Sequence, residues 1–346
     1  MKHSDLKFVD HSAIYCCNPL SIVSDYNNYI ISLLERFIKT TGAAININFV
    51  VFGKEFSDFN NENPTIRIEC NYEHTLVLPG GRDTEDARQG KIYDEYGKPM
   101  DYLVRLVNRE SLAKADLVID YSIQNVLNIF LSGDFKDIDN NMICIYPSLY
   151  EEHQLCKSIG PRVLDCITTF FDVTQPRRKK IVDELIGLCV GGKEESSDCE
   201  DFKGTNEKMY NYRNINTCFT KNELQQVYLH AKILVNIHQT DHHHTLEELR
   251  VLPALQCGVL VICEKCPINE NNYFNVKYHE YIIWAEYDNI AKKTEEVFAN
   301  YEKYFHDIFL TPKQVNLYDF DAQNYQDIEK SLTSILSKFT NAHGVH

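Results

Sequence analysis

The stretch that decides the fold is residues 231–267, which read AKILVNIHQTDHHHTLEELRVLPALQCGVLVICEKCP. Two apolar segments, 233–237 and 259–263, predict buried strands. Between them, apolar residues at helical spacing predict a helix over 246–256, which Gly258 ends because glycine adopts the left-handed backbone without strain. The order strand, loop, helix, strand predicts two parallel strands of an α/β sheet.

The same alternation extends along most of the chain, which predicts an α/β protein with parallel sheets. A length of 346 residues suits two domains rather than one core. Charged residues and a Gly-Pro pair interrupt the periodicity between 150 and 165. We therefore expect a first domain over 1–160 and a second over 161–346, with a terminal helix, 328–339, that packs back on the first domain. Strands are predicted over 45–52, 65–70, 75–78, 117–121, 142–146, 166–171 and 281–285, and helices over 20–38, 123–131, 177–188, 221–231 and 290–308.

Composition limits the classes of partner and compartment. The 35 Lys and Arg against 50 Asp and Glu give a formal charge of −15, which repels nucleic acid and anionic lipid. The 12 cysteines are scattered rather than densely spaced, which favours reduced thiols in a cytosol-like compartment. Residues 1–10 lack the apolar core of a signal peptide, and no long apolar run occurs. We expect a soluble, cytoplasmic protein without a transmembrane segment.

The polar loop 238–245 follows a predicted buried strand and leads into the helix that begins LEELR. Open α/β sheets bind their ligands outside the carboxyl ends of the strands, which is where this loop lies. The amino terminus of the helix adds unpaired N–H groups and a partial positive charge. The sequence therefore predicts an anion-binding site at this junction, and a phosphate-bearing ligand suits it.

The stretch 231–267 resembles the nucleotide-sugar-binding half of GT-B glycosyltransferases, and residues 115–122, ADLVIDYS, resemble the last strands of their acceptor-side domain. The resemblance implies two Rossmann-like α/β domains that face a central cleft. It also implies an enzyme of glycan biosynthesis that moves a sugar from a nucleoside-diphosphate sugar, such as a UDP- or GDP-sugar, to a glycan or other acceptor hydroxyl. No obligatory metal cofactor is implied. The alternatives are a sugar-nucleotide epimerase or hydrolase of the same architecture, and a non-catalytic sugar-nucleotide-binding protein.

The resemblance also assigns donor contacts to acidic residues at the start of the helix. Glu247 or Glu248 corresponds to the carboxylate that bonds sugar hydroxyls. Pro253 stands where many retaining members have the ribose-binding glutamate. Three readings stay open: Glu247 and Glu248 divide the two roles, Arg250 and a backbone group replace the missing acid, or the donor is held differently.

Family members also carry basic residues after the first strand of the second domain, where they neutralise the donor pyrophosphate. Here residues 177–180 read RRKK. Neighbours on a helix point in different directions, so at most two of the four can face one ligand, and we select Arg178 and Lys179. The alternative is a solvated first turn, which is the usual setting of a charge run on a helix.

Each of these features also has a purely structural interpretation. Glu247 and Glu248 complement the helix dipole, with Thr245 as the N-cap and Glu248 closing a capping box. His238, His242 and His244 are expected in the donor pocket. Adjacent loop histidines seldom converge on one ion, so no metal site is predicted.

The sequence does not select a catalytic base. His244, Asp83, His11 and Asp120 are candidates, and nothing in the pattern distinguishes them. Asp83 ends the segment PGGRD, which is either a tight turn or a loop that contacts a ligand across the cleft. Cys263 and Cys266 form a single Cys-x-x-Cys without a second pair, which indicates two ordinary thiols.

Overall fold

The computed structural model describes residues 3–9, 12–18, 23–41, 47–51, 64–77, 87–93, 99–106, 108–151, 162–170, 172–188, 210–215, 221–238, 246–265 and 276–343. These residues form two α/β domains, each with a largely or wholly parallel sheet, as the sequence predicts. The limit near residue 160 lies outside the described residues, so the boundary itself stays a prediction.

The first domain has a six-stranded sheet in the order β1-β2-β3-β4-β8-β9, parallel except for the edge pair β1 and β2. A separate antiparallel sheet has the order β5-β7-β6. The strands are β1 His3–Val9, β2 Ser12–Asn18, β3 Asn48–Val51, β4 Thr65–Asn71, β5 Leu76–Val77, β6 Ala87–Tyr93, β7 Pro99–Arg105, β8 Leu117–Asp120 and β9 Met142–Cys144.

The hairpins β1-β2 and β6-β7 are absent from the sequence prediction, which reads residues 1–10 only as a polar terminus. Strands β1 and β6 mix charged and apolar residues instead of forming apolar runs, whereas β2 carries an apolar run over 13–17 that the sequence prediction does not include. Strands at the edge of a sheet, or in a small antiparallel one, need only one apolar face. Continuous apolar runs identify central parallel strands and miss strands of this kind.

Among the described residues of the first domain, the helices are α1 Ser24–Thr41, α2 Arg109–Ala113 and α3 Ile123–Ser132. Helix α1 buries Tyr26, Ile30, Leu34 and Phe37, whose spacing of three or four residues places them on one face. Gly133 ends α3 with a φ of 69°, as its position in the sequence predicts.

The second domain has a five-stranded, fully parallel sheet in the order β11-β10-β12-β13-β14. All of β13 and nearly all of β12 is buried, which fits a parallel sheet covered on both faces. The strands are β10 Leu164–Thr168, β11 Tyr212–Asn214, β12 Ala231–Asn236, β13 Leu260–Glu264 and β14 Ile282–Ala285, and the helices are α4 Pro176–Leu188, α5 Lys221–His230, α6 Glu248–Gln256, α7 Ile290–Ala299 and α8 Tyr301–Phe305.

Helix α6 differs from the prediction at its start and agrees with it at its end. It begins at Glu248, so Glu247 and not Thr245 occupies the N-cap position, without a side-chain capping hydrogen bond. The Glu247 side chain is engaged by three basic residues instead. At the other end Gly258 has a φ of 70° and its N–H donates to Leu255 O at 2.8 Å.

The helix expected over 290–308 is interrupted at Asn300 and ends in a π-helical turn, His306–Leu310. The terminal helix is longer than expected and spans α9 Phe320–His343. Its residues Tyr325, Ile328, Leu332 and Leu336 lie in one hydrophobic core with α1 and the first sheet. The last helix of the chain therefore packs against the first domain.

Candidate functional site

The candidate site lies where the carboxyl ends of the two sheets meet, and Glu247 is its central residue. The Glu247 side chain is 11% exposed and pairs with Arg250 one turn along. Its Oε1 lies 3.5 Å from Arg178 Nη2 on α4 and 3.5 Å from His74 Nε2, which follows β4 in the first domain. Burial raises the pKa of this carboxyl, but Arg250, His74 and Arg178 outweigh it and leave the pKa far below its usual range. Glu247 is therefore ionised.

Glu248 has the opposite character. It is fully buried, and its Oε1 accepts a 2.8 Å hydrogen bond from Ser122 Oγ, at the exit of β8 in the first domain. Its Oε2 has no hydrogen-bond partner among the described residues. Burial raises the pKa of Glu248 well above its usual value, with Asp120 and Glu247 adding to the shift and Ser122 opposing it. The pair thus combines a charged acid with a neutral one.

A third contact joins the domains at the same place. The backbone N–H of Leu246 donates to Gln124 Oε1 at 3.0 Å, and both groups are buried. Contacts from residues 246, 247 and 248 thus reach residues that follow β4 and β8. The start of α6 is held against the first domain by consecutive polar contacts.

Arg178 is a buried cation, 3% exposed, whose guanidinium stacks over the Phe170 ring at 4.5 Å. Burial lowers its pKa to about 10, while Glu247 supports the charged form, so it is protonated at neutral pH. Its Nε has no partner among the described residues. A buried guanidinium with an unused donor at a sheet's carboxyl end is suited to an anionic ligand.

The other basic residues of α4 have different surroundings. Arg177 makes a two-pronged pair with Glu264 at the end of β13, donates to His238 O at 3.2 Å and stacks on the Tyr287 ring at 3.9 Å. Lys179, the second residue selected from the sequence, is 61% exposed and pairs with Asp183 on its own helix. The helical turn brings Arg178 to Glu247 and directs Lys179 towards solvent.

His238 belongs to the Glu264 cluster and not to the Glu247 pair. Its backbone N–H donates to Glu264 Oε2 at 3.0 Å, and its Nδ1 lies 3.3 Å from the same oxygen. Burial raises the pKa of Glu264, but Arg177 and His238 more than compensate and bring it to about 2. Glu264 is therefore an ionised acid with its own cationic partner.

Several residues selected from the sequence cannot be placed. His11, Asp83, His242 and His244 lie outside the described residues. Asp120 can be placed: it is fully buried and accepts hydrogen bonds from Asn71, Asn125 and the Ser122 amide. A carboxylate this enclosed is positioned to organise its neighbours rather than to reach a substrate.

His74, Tyr121 and Ser122 belong to the site and were not selected from the sequence. The Tyr121 hydroxyl lies 3.5 Å from His74 Nδ1, on the opposite side of the imidazole from Glu247. Each residue lies within three positions after the end of a strand of the parallel sheet, β4 or β8, and this position is the signal that could have identified them. No pattern in the sequence predicts that these residues contact the second domain.

Two further properties concern ions and membranes. Within the described ranges, no three His, Cys, Asp or Glu side chains come together in a way that could hold a metal ion. None of the helices in that part of the chain combines the length and apolarity needed to cross a bilayer.

The described residues therefore form two α/β domains that face each other at the carboxyl ends of their strands, which is the arrangement that the resemblance to the GT-B class implies. No family model matches the chain. An uncharacterized protein of Acanthamoeba polyphaga mimivirus is 31% identical over 100 residues, which is 29% of this chain and 35% of that protein. The match thus spans about a third of that relative.

The chain is also similar to several solved structures. A pneumococcal O-GlcNAc transferase in complex with UDP and GlcNAc has 15% identity and a TM-score of 0.36, over 85% of this chain and 56% of that one. An alpha-glucosyltransferase in complex with UDP and a 13-mer DNA has 12% identity and a TM-score of 0.44, over 89% and 83%. A trehalose-6-phosphate structure from E. coli, bound with UDP-2-fluoro glucose, has 10% identity and a TM-score of 0.40, over 98% and 88%. The chain thus spans little more than half of the first of these structures. At such values the likeness is one of general arrangement.

Proposed function

We propose that the protein is a glycosyltransferase that moves a sugar from a nucleoside-diphosphate sugar, a UDP- or GDP-sugar, to an acceptor hydroxyl. One observation carries the proposal: Glu247 is an ionised carboxylate surrounded by Arg178, Arg250 and His74 where the two sheets' carboxyl ends meet. Cations for a diphosphate and an acceptor of hydroxyl hydrogen bonds are thus assembled at one point. His238, next to Glu264, and the loop histidines His242 and His244 are proposed to line the same donor pocket.

The cations are suited to stabilising a departing diphosphate. In a chain of formal charge −15, Arg178 and Arg250 form a local positive site beside the amino terminus of α6. Negative charge grows on the diphosphate as the bond to the sugar breaks. Fixed cations in a buried site stabilise that charge without a metal ion. Lys179, which is exposed and paired with Asp183, is the less suited of the two residues proposed from α4.

Of the two acids, Glu247 is better suited to contact the sugar. A diphosphate would compete with it for Arg178 and Arg250, which would release its oxygens to accept hydrogen bonds from sugar hydroxyls. Glu248 is held neutral and bonded to Ser122 across the domains. We assign Glu248 to closing the domains and Glu247 to the donor.

His74 is the first-domain imidazole that reaches the site. If transfer inverts the configuration at the sugar carbon, a base must take the acceptor proton, and His74 can fill that role. If transfer retains the configuration, the leaving phosphate can take the proton itself. A His74→Ala enzyme distinguishes the routes: transfer falls about 100-fold or more in the first case and much less in the second.

The test is binding of UDP-glucose, GDP-glucose, dTDP-glucose and a CMP-sugar, measured as a shift in thermal unfolding. A donor at 100 times its dissociation constant raises stability by about 2.7 kcal/mol. Glu247→Gln should lose the shift, whereas Glu295→Gln, at an exposed position on α7, should keep it. No shift with any of the four nucleotides, or equal shifts in both variants, would contradict the proposal.

Activity then separates the remaining functions. Wild-type protein and a bound donor are incubated with and without a panel of sugar and glycan acceptors. Transfer to an acceptor supports the proposal. Epimerised or hydrolysed donor without acceptor identifies an epimerase or hydrolase of the same architecture, and binding without any turnover identifies a sugar-nucleotide-binding protein.

A further inference from the structure

The segment that carries His74 is fixed by two asparagine side chains. The carbonyl oxygen of Glu73 accepts hydrogen bonds from Asn71 Nδ2 and Asn125 Nδ2, both at 3.1 Å. The amide and hydroxyl of Thr75 both donate to Asn125 Oδ1, at 3.2 and 2.9 Å. The backbone on either side of His74 is therefore held by side-chain amides from β4 and α3.

Both amides are in turn oriented by Asp120, which is fully buried at the end of β8. Asn71 Nδ2 donates to Asp120 Oδ2 at 2.6 Å, and Asn125 Nδ2 donates to Oδ1 at 3.1 Å. The Ser122 amide donates to Oδ1 at 2.8 Å. A carboxylate that accepts all three bonds fixes which end of each amide points inward, so the amide oxygen of Asn125 faces Thr75.

This hydrogen-bond network leads from Asp120 to both acids of the second domain, Glu247 and Glu248. One arm leads through Asn71 and Asn125 to His74, which meets Glu247. The other leads through the Ser122 amide to its hydroxyl, which meets Glu248. We propose that Asp120 is a positioning residue that sets both first-domain groups, His74 and Ser122, for their contacts with the acid pair. Its part in sugar transfer rests on the proposed function, whereas the positioning does not.

The energetics of Asp120 favour this role over simple stabilisation. Burial raises its pKa to about 7, although Asn71, Ser122 and Asn125 oppose the shift. The ionised form is therefore costly to keep in the folded protein, and a neutral side chain of the same shape would be cheaper to bury. What the charge contributes is the capacity to accept three hydrogen bonds and so to orient their donors.

Asp120→Asn removes that capacity while keeping the shape. The new side-chain NH2 group would meet a donor, either Asn71 Nδ2 or the pair Asn125 Nδ2 and Ser122 N. If the Asn71 amide turned to avoid this, its oxygen would face the Glu73 carbonyl oxygen. Either way the segment around His74 loses a hydrogen bond, and the imidazole moves.

The test compares Asp120→Asn with Asp116→Asn in the full-length protein. Asp116 precedes the same strand, and its Oδ2 accepts the Arg67 N–H at 2.8 Å at the start of β4, far from the site. Histidine ring signals are recorded by NMR after selective labelling, at about pH 8.5, where Asp120 is ionised. The His74 signal is assigned with His74→Gln.

We expect Asp120→Asn to shift the His74 signal while the unfolding midpoint stays equal or rises, and Asp116→Asn to leave the signal in place. Asn125→Ala should shift the signal as well, because it removes the hydrogen bonds that Asn125 makes to Glu73 and Thr75 on either side of His74. An unmoved His74 signal in Asp120→Asn, whether or not stability falls, overturns the proposal.

Binding of UDP-glucose supplies the functional readout. We expect it to weaken about tenfold in Asp120→Asn, the loss of one hydrogen bond to a charged group, and to stay unchanged in Asp116→Asn. Wild-type protein that fails to bind UDP-glucose would count against the proposed function, while the His74 signal still decides the positioning role. Full binding by Asp120→Asn with a shifted signal would overturn its part in sugar transfer.

Discussion

Ser122 Oγ, at the exit of the last but one strand of the first sheet, donates a 2.8 Å hydrogen bond to Glu248 Oε1 at the start of α6 in the second domain. Both residues are fully buried. A neutral carboxyl group can be buried with one oxygen unpaired at moderate free-energy cost. Burying an ionised carboxylate with an unpaired oxygen costs far more. The Ser122 hydrogen bond itself favours the ionised form of Glu248, but burial outweighs it and raises the pKa of this carboxyl well above its usual value.

Ser122→Ala should destabilise the protein by about 1–3 kcal/mol, because it leaves the buried Glu248 carboxyl without its hydrogen-bond donor. The measurement is urea unfolding. Ser132→Ala is the control: Ser132 lies in the last turn of α3, donates to Ile129 O of its own helix and accepts from the nearby Asp134 N–H, so its hydrogen bonds are all local. A control change as large as that of Ser122→Ala would show that the bond between the domains contributes little.

Arg177→Lys should cost about 1–3 kcal/mol, because lysine can neither form the two-pronged pair with Glu264 nor stack as a plane on Tyr287. Burial, Arg177 and His238 together leave the pKa of Glu264 at about 2, below its ordinary 4.5. A lowered carboxyl pKa stabilises the fold above the unfolded pKa and loses that effect as pH falls through the folded pKa.

The cost of Arg177→Lys should therefore be full above about pH 4.5 and shrink as the pH falls towards 2. Chemical unfolding across this range provides the measurement. Lys179→Arg, at an exposed position on the same helix, should change stability by less than about 0.5 kcal/mol throughout. A cost for Arg177→Lys that does not vary with pH would assign its effect to stacking alone.

Asp120→Asn has the opposite dependence on pH. Burial raises the pKa of Asp120 from 3.8 to about 7, so the native state binds the proton more tightly than the unfolded chain does. Wild-type stability then falls as pH rises from about 4 to about 7 and changes little above. The variant has no ionisable group at this position, so its stability relative to the wild type should rise as the pH increases from about 4 to about 7.

The expected gain is on the order of 1–3 kcal/mol at about pH 8, after the lost hydrogen bonds are subtracted. The titratable groups whose pKa values Asp120 raises include Tyr26 on α1, Cys70 on β4, Tyr121 after β8, Cys144 on β9 and Glu248 on α6. They are present in both proteins, and because the Asp120 charge raises their pKa values, the difference between the two unfolding curves reports Asp120 together with its coupling to them. A variant that is less stable than wild type at about pH 8 would contradict the assignment.

Gln256→Met should cost about 2–4 kcal/mol, since it removes three buried hydrogen bonds at nearly constant volume. Gln256 accepts from Tyr150 N at 3.2 Å and donates to Ser148 Oγ and Leu317 O, each at 3.0 Å. These partners lie in the two segments that lead from one domain to the other. Gln323→Met, at a half-buried position on α9 whose side chain bonds Lys277 near the surface, is the control, and equal urea unfolding midpoints for the two variants would refute the prediction.

The sequence predicts helices and strands well where one local pattern, such as an apolar run or a glycine at a helix end, determines them. The apolar runs in β12 and β13, and Gly133 and Gly258 at helix ends with positive φ, need no knowledge of the rest of the chain. The break at Asn300 and the strands β1 and β6 depend on neighbouring layers, so local patterns miss them.

The candidate site was also predictable only where a local pattern identifies a residue. A helix start after a buried strand identifies the acid pair Glu247 and Glu248. Which acid is charged depends on Arg178 and His74, which lie far away in sequence. The choice of Arg178 and Lys179 from four adjacent cations needed the orientation of α4 towards the sheet, which the sequence alone does not provide.

The packing of α9 on α1 has a consequence for how the molecule can be divided. Tyr325, Leu332 and Leu336 close a wall of the first domain's core, and Asn324 bonds both the Tyr146 backbone and the Tyr29 hydroxyl. A fragment limited to the amino-terminal half would expose the face of α1 that carries Tyr29, Arg36 and Thr40, together with the apolar residues that α9 covers, and should aggregate when expressed alone. The last part of the chain is thus a structural component of the first, and a nicked protein should copurify as a single particle.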